Sequence, residues 1–134
     1  MRVFLDTNVL VAAFATRGLC ADVLRHVLAE HELVVGEVVL TELRKAFTHR
    51  LRLPRPTIEA ILQFLREHET VPKPKEPADF PIRDSDDQWI LASALAGRAD
   101  VLITGDRDLL DLAGSAPLRI LDPRAFWELA RKRR

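Results

Sequence analysis

Arg2-Val3-Phe4-Leu5-Asp6-Thr7-Asn8, at the head of the chain, sets three apolar residues suited to a buried strand directly before a carboxylate. A carboxylate at the tip of a buried strand is costly unless it is paired or holds a metal. Asp100-Val101-Leu102-Ile103-Thr104-Gly105-Asp106 repeats the pattern, an apolar strand that ends in Asp. In a parallel α/β sheet the carboxyl ends of neighbouring strands lie together, and ligands bind there. The two stretches therefore predict that Asp6 and Asp106 converge.

Between them, strand and helix patterns alternate. Val9 to Ala15 reads as a short helix, broken at Arg17-Gly18. Leu19 to Glu30 has the helical spacing of Leu19, Val23, Leu24, Val27 and Leu28. Leu33-Val34-Val35 predicts a second buried strand, and Glu37 to His49 a further helix. Leu53-Pro54-Arg55-Pro56 reads as a break, with Thr57 as the cap of a helix over Ile58 to His68. Thr70-Val71 is a short third strand, and residues 72–83, with Pro72, Pro74, Pro77 and Pro81, form an extended connection. Arg83-Asp84-Ser85-Asp86-Asp87 opens a helix that runs through Trp89 to about Ala96 and is closed by Gly97. After the strand ending at Asp106, Arg107 to Leu112 is a short helix and Leu118 to Leu121 a last strand. Asp122-Pro123 opens a final helix. Alternation of this kind implies a mainly parallel sheet sandwiched by helices.

Two helices carry acids on their apolar side. Glu42 shares a face with Val38, Val39 and Ala46. It sits either at the edge of that stripe with its head in water, or aimed inward. The cluster Asp84-Ser85-Asp86-Asp87 is explained at Asp84 or Ser85 by helix capping and the dipole. Capping explains Asp87 poorly: Ile90, Leu91 and Ala94 follow it at three, four and seven, so it points inward with no Lys or Arg on its stripe. Asp86 points away, into solvent.

The length of 134 residues suits one domain, 1–134, with room for a real core. At 48% hydrophobic and 30% charged, the composition is that of a soluble globular chain. No apolar run approaches the roughly 18 residues of a membrane span, and the N-terminus does not resemble a signal peptide. Cys20 stands alone, which fits a reducing cytoplasm, and reads as a small hydrophobe. The formal net charge is zero, but the charges are separated. Arg44, Lys45, Arg50, Arg52 and Arg55 cluster in the first half and Arg131-Lys132-Arg133-Arg134 at the end, while acids gather around 84–87 and 106–111. Basic flanks around an acidic centre suit a polyanion; the bland alternative is ordinary solvated surface.

Asp6, Glu42, Asp87 and Asp106 all belong at the carboxyl edge of such a sheet. Held about 5 Å apart at an effective dielectric of about 20, each pair repels by about 3 kcal/mol, and the four together by roughly 20. That rivals the net stability of a domain. Protons or a divalent cation must relieve it. Carboxylates without His or Cys are hard ligands, suited to Mg²⁺ or Mn²⁺ with room left for a substrate phosphate. His26, His31, His49 and His68 lack ligand spacing and read as surface residues. No Gly-rich phosphate loop or Ser-centred elbow is present.

Leu5-Asp6-Thr7-Asn8-Val9-Leu10, Leu40-Thr41-Glu42-Leu43, Asp87-Gln88-Trp89-Ile90-Leu91-Ala92-Ser93-Ala94 and Ile103-Thr104-Gly105-Asp106-Arg107-Asp108-Leu109-Leu110 resemble, in order, the motifs of PIN-domain nucleases. Arg83-Asp84-Ser85-Asp86-Asp87 and the Thr-Gly-Asp-x-Asp-Leu-Leu ending look most like the subfamily of toxins from bacterial toxin–antitoxin pairs, related to VapC. The resemblance implies a three-layer α/β/α domain with a central parallel sheet of about four or five strands. It implies Mg²⁺- or Mn²⁺-dependent endoribonuclease chemistry, with Asp6, Glu42, Asp87 and Asp106 as the catalytic and metal-holding acids. Asn8 and Thr104 match accessory polar positions, and Asp84 and Asp108 extra acidic ones. It also implies homodimers, an RNA substrate and an antitoxin partner. Two other roles keep the fold: a housekeeping RNA-processing nuclease, and a non-catalytic RNA- or protein-binding module. A haloacid-dehalogenase-like phosphatase is disfavoured, because position 8 is Asn where that family's motif resembles Asp-x-Asp.

Overall fold

The computed structural model describes residues 1–132. Strands β1 (Arg2–Leu5), β2 (Glu32–Gly36), β3 (Glu69–Val71), β4 (Val101–Ile103) and β5 (Arg119–Leu121) form one sheet. Its spatial order is β3-β2-β1-β4-β5, and every neighbouring pair is parallel. The strands are apolar because both faces of the sheet are covered by helices. These are α1 (Thr7–Ala15), α2 (Leu19–Glu30), α3 (Glu37–Lys45), α4 (Arg55–Arg66), α5 (Ser85–Ala96), α6 (Arg107–Leu110) and α7 (Pro123–Lys132). The result is a three-layer α/β/α architecture. Among the described residues no helix is long and apolar enough to cross a membrane.

The chain runs outward from β1 through β2 to β3, then returns to lay β4 against the free side of β1. That reversal opens a crevice between the carboxyl ends of β1 and β4, the usual ligand position in such sheets. Leu5 is in register with Ile103, and the Asp6 N–H donates to the Ile103 carbonyl at 2.9 Å. Asp6 and Thr104 are thus the first residues past the paired strands, side by side. Phe4, Leu5, Leu102 and Ile103 are fully buried beneath them, with Leu43, Phe47, Ile90 and Leu91 from the helices. This packing fixes the floor of the crevice.

Three expectations need correction. The helix from Glu37 does not stay α-helical to His49: it ends at Lys45 and passes into a π-helical turn, Ala46–Arg50. Helix α4 starts at Arg55 with Pro56 in its first turn, where the missing N–H is not needed, so Thr57 lies inside the helix and is not its cap. The strand toward Asp106 ends at Ile103, and Asp106 instead caps α6.

Residues 72–83 hold no regular structure, as their prolines require, yet they are not loose. Ile82 is buried, the Ala78 N–H donates to the Gln88 carbonyl at 3.1 Å, and Lys73 Nζ sits 4.5 Å from the centre of the Trp89 ring. This segment is a strap across the first half of α5.

Candidate metal centre

Asp6 ends β1 and caps α1. Its Oδ1 accepts from the Thr7 N–H at 2.7 Å and its Oδ2 from the Thr104 hydroxyl at 2.6 Å. Thr104 is fully buried, and its Oγ1 also accepts from the Asp106 N–H at 3.0 Å. The hydroxyl proton is therefore directed at Asp6, and the two strand ends are tied by one side chain. Burial raises the Asp6 pKa above the carboxylate range; the Thr104 and Thr7 bonds pull it back, and Asp106 pushes it up again.

Asp87 lies in the first turn of α5 and is 7% exposed. A helix N-terminus favours an anion, yet its pKa is raised, first by burial and then by the neighbouring Asp106 carboxylate. Asp6 and Asp84 add to the rise. The surroundings outweigh the dipole. Asp87 Oδ2 is buried and has no hydrogen-bond partner. Asp106 Oδ1 accepts from the Asp108 N–H at 2.8 Å, which turns Asp108 back toward the crevice. One oxygen each from Asp87, Asp106 and Asp108 lies within 4.8 Å of the others.

Glu42, on α3, is half-buried. Its Oε1 accepts from the Thr7 hydroxyl at 3.3 Å, while Oε2 is buried without a partner. Burial and then the Asp6 charge push its pKa to about 7, against the Thr7 bond, with Asp86 and Asp84 adding to the rise. The inward alternative for Glu42 is the one the fold adopts. Thr7 is the residue that sequence reasoning passed over: its N–H holds Asp6 and its hydroxyl holds Glu42. The only signal for it was its place between Asp6 and Asn8.

The four acids are thus in electrostatic reach of one another, but not evenly spaced. Asp87, Asp106 and Asp108 form the tight group, Asp6 is locked beside it through Thr104, and Glu42 joins through Thr7. Asp84 is exposed and caps α5, its Oδ1 accepting from the Asp86 N–H at 2.9 Å. Asn8 is exposed and takes no part in the chain joining Asp6, Thr104 and Asp106.

Among the described residues, no ion pair answers this charge. The ion pairs there engage Arg2, Arg25, Arg44 and Arg66, none of them with Asp6, Glu42, Asp87 or Asp106. Two orphaned, buried carboxylate oxygens beside a trio of converging carboxylates fit a divalent cation with hard oxygen ligands. Asp87, Asp106 and Asp108 are spaced to hold it, with Asp6 and Glu42 alongside.

The family model described as PIN domain matches residues 2–108. No curated protein matches the chain. Among solved structures, the fold is similar to a chain of VapBC2 from Rickettsia felis, bound to a DNA fragment from its promoter. The TM-score is 0.63 at 19% identity, covering 91% of this chain and 98% of that one. It is also similar to a chain of VapBC-1 from nontypeable Haemophilus influenzae, with a TM-score of 0.61 at 23% identity, covering 92% and 99%. At these identities the likeness is one of fold.

Proposed function

This chain belongs to the PIN-domain family, and we propose that it is a divalent-metal-dependent endoribonuclease acting as the toxin of a toxin–antitoxin pair. The observation that carries the reading is the uncompensated acid pocket, above all the buried and unpartnered Asp87 Oδ2 and Glu42 Oε2. The toxin role draws support from the two similar structures, which are VapBC assemblies.

Asp6, Glu42, Asp87 and Asp106 are the acids of the centre in this reading, with Asp108 beside them and Asn8, Thr104 and Asp84 as accessory positions. When bound, Mg²⁺ or Mn²⁺ supplies a more acidic water and neutralises charge on the phosphodiester. Asp87, Asp106 and Asp108 would hold the ion, and Thr104 keeps the Asp6 carboxylate turned toward them. Glu42, whose Oε2 is buried in the crevice without a partner, is placed to accept a proton from a water there. In-line attack of that water on phosphorus breaks the P–O3′ bond; the 3′ oxygen takes up a proton from solvent and leaves as a hydroxyl, and the other product carries the 5′-phosphate.

The RNA backbone needs cations from elsewhere. Arg44 is engaged by Glu59, which leaves the exposed Lys45, Arg50, Arg52 and Arg55 around the π-helical turn. Arg131 and Lys132 are exposed at the end of α7, and Arg133 and Arg134 lie outside the described residues. An antitoxin as partner, a homodimer, a single domain over 1–134 and a cytoplasmic location belong to the same proposal.

The test is cleavage of single-stranded and structured RNA with and without Mn²⁺, beside Asp6→Asn. The expected result is metal-dependent cleavage that Asp6→Asn abolishes while the fold is kept. Cleavage that ignores both the metal and the substitution contradicts the reading. Stoichiometric Mn²⁺-free RNA binding without any cleavage favours a binding module instead.

A further inference from the structure

The strap meets α5 at Gln88, the residue after Asp87. The Gln88 carbonyl accepts from the Ala78 N–H at 3.1 Å, and its side-chain Nε2 donates to the Phe80 carbonyl at 3.4 Å. Two residues of the strap, one on each side of Asp79, are therefore pinned to one residue of the helix. Lys73 over the Trp89 ring and the buried Ile82 secure the strap's two ends.

Asp87 is poorly placed to hold its own position. It stands in the first turn of a helix whose start is held only locally, by the Asp84 cap on the Asp86 N–H and by the Asp87 N–H on the Asp84 carbonyl at 3.1 Å, and helix ends fray. Its carboxylate has an unpartnered buried oxygen and faces Asp106 and Asp6. The easy relief for that repulsion is to unwind the turn toward solvent, where Asp84, Ser85 and Asp86 are already exposed. Unwinding past Asp87 requires Gln88 to leave the strap. Four prolines limit the strap's freedom when detached, so holding it in place costs little conformational entropy.

We propose that Gln88 is a positioning residue: clamped by the strap, it holds the first turn of α5 so that the Asp87 carboxylate stays in the cation pocket. The inference rests on the reading of that pocket as a divalent-cation site. Gln88 itself does not face the acids; it acts through its neighbour. Groups hydrogen-bonded directly to a metal ligand change metal affinity by about 10–100-fold when removed, and Gln88, which acts one residue further out, belongs at the lower end of that range.

The experiment is Mn²⁺ titration by calorimetry, with thermal melts of metal-free and Mn²⁺-loaded protein, on wild type, Gln88→Met and Ala78→Pro. Gln88→Met keeps the side chain's length and removes its donor. Ala78→Pro removes the strap's N–H without touching α5, and carries the test should Gln88→Met fail to fold. The expected result is about a tenfold weaker Mn²⁺ affinity in each, a smaller rise in Tm on adding Mn²⁺, and a nearly unchanged metal-free Tm. Cleavage should recover at saturating Mn²⁺. Equal losses of Tm with and without metal at wild-type affinity, in whichever variant folds, overturn the proposal. If wild type binds no Mn²⁺, the cation site is lost and this inference with it.

Discussion

The two edges of the sheet treat charge in opposite ways. At the amino edge Arg2 is half-buried and fully engaged. Its guanidinium pairs with Glu32 at 3.1 Å and with Glu69, and it donates to the Gly97 and Arg98 carbonyls, while the Arg2 N–H donates to Asp100 at 2.7 Å. Gly97 can receive it because the backbone there presses close: a Cβ at this position would stand 2.7 Å from Val71 and 2.8 Å from Val34. At the carboxyl edge the acids converge with no Lys or Arg paired to them among the described residues. The chain carries 20 basic and 20 acidic residues, so a shortage of cations does not explain the difference. An edge left without paired cations fits the proposed reading, in which protons or a divalent cation supply the compensation.

The sharpest way to break this contrast is to remove an acid. Asp106→Asn should lower Mn²⁺-dependent RNA cleavage by about 10²–10³-fold, read as kcat/KM, while the protein still melts cooperatively. An active Asp106→Asn protein would mean that the pocket is not the reacting centre. The matching change at the balanced edge, Arg2→Ala, should do the reverse. It should cost about 2 kcal/mol of stability in urea unfolding, from lost charge-assisted bonds, and leave cleavage per folded molecule unchanged.

A third effect is in the pH dependence. Glu42, Asp6 and Asp87 all have raised pKa values in the folded chain, Glu42 to about 7 from an ordinary 4.5. A carboxyl group with a raised folded pKa binds more protons when folded. Its stabilisation is full below the unfolded pKa and is lost as pH rises through the folded value. The Tm of metal-free protein should therefore fall by several degrees between about pH 5 and pH 8, and saturating Mn²⁺ should remove the fall. A metal-free Tm that climbs over this range would place the dominant acids elsewhere. The smallest effect expected is a gain: Asp87→Asn should stabilise metal-free protein by about 1 kcal/mol and abolish the stabilisation by Mn²⁺.

Much of this was legible in the sequence because apolar periodicity and the acids that interrupt it are local signals. Val3-Phe4-Leu5 before Asp6, and Ile90, Leu91 and Ala94 after Asp87, place a strand end and an inward carboxylate without knowledge of the fold. What the residues concealed depends on backbone placement. Pro54-Arg55-Pro56 reads as a break, yet a helix begins there because its first turn needs no N–H from Pro56. The π-helical turn after Lys45 adds a residue to the helix without any Gly or Pro to mark it. Asp106 sits past the strand, not on it, because Thr104 turns inward to reach Asp6 and leaves Asp106 to cap α6. The double role of Thr7 arises only when α3 is laid beside α1, a long-range packing event that no spacing encodes.

The most direct test of the cation pocket is the anomalous scattering of Mn²⁺ in crystals of the protein grown or soaked with that ion. A peak is expected within coordination distance of Asp87 and Asp106, with Asp6 or Asp108 completing the protein ligands. A well-occupied ion elsewhere with this pocket empty, or a lysine or arginine side chain folded in to fill it, would contradict the account.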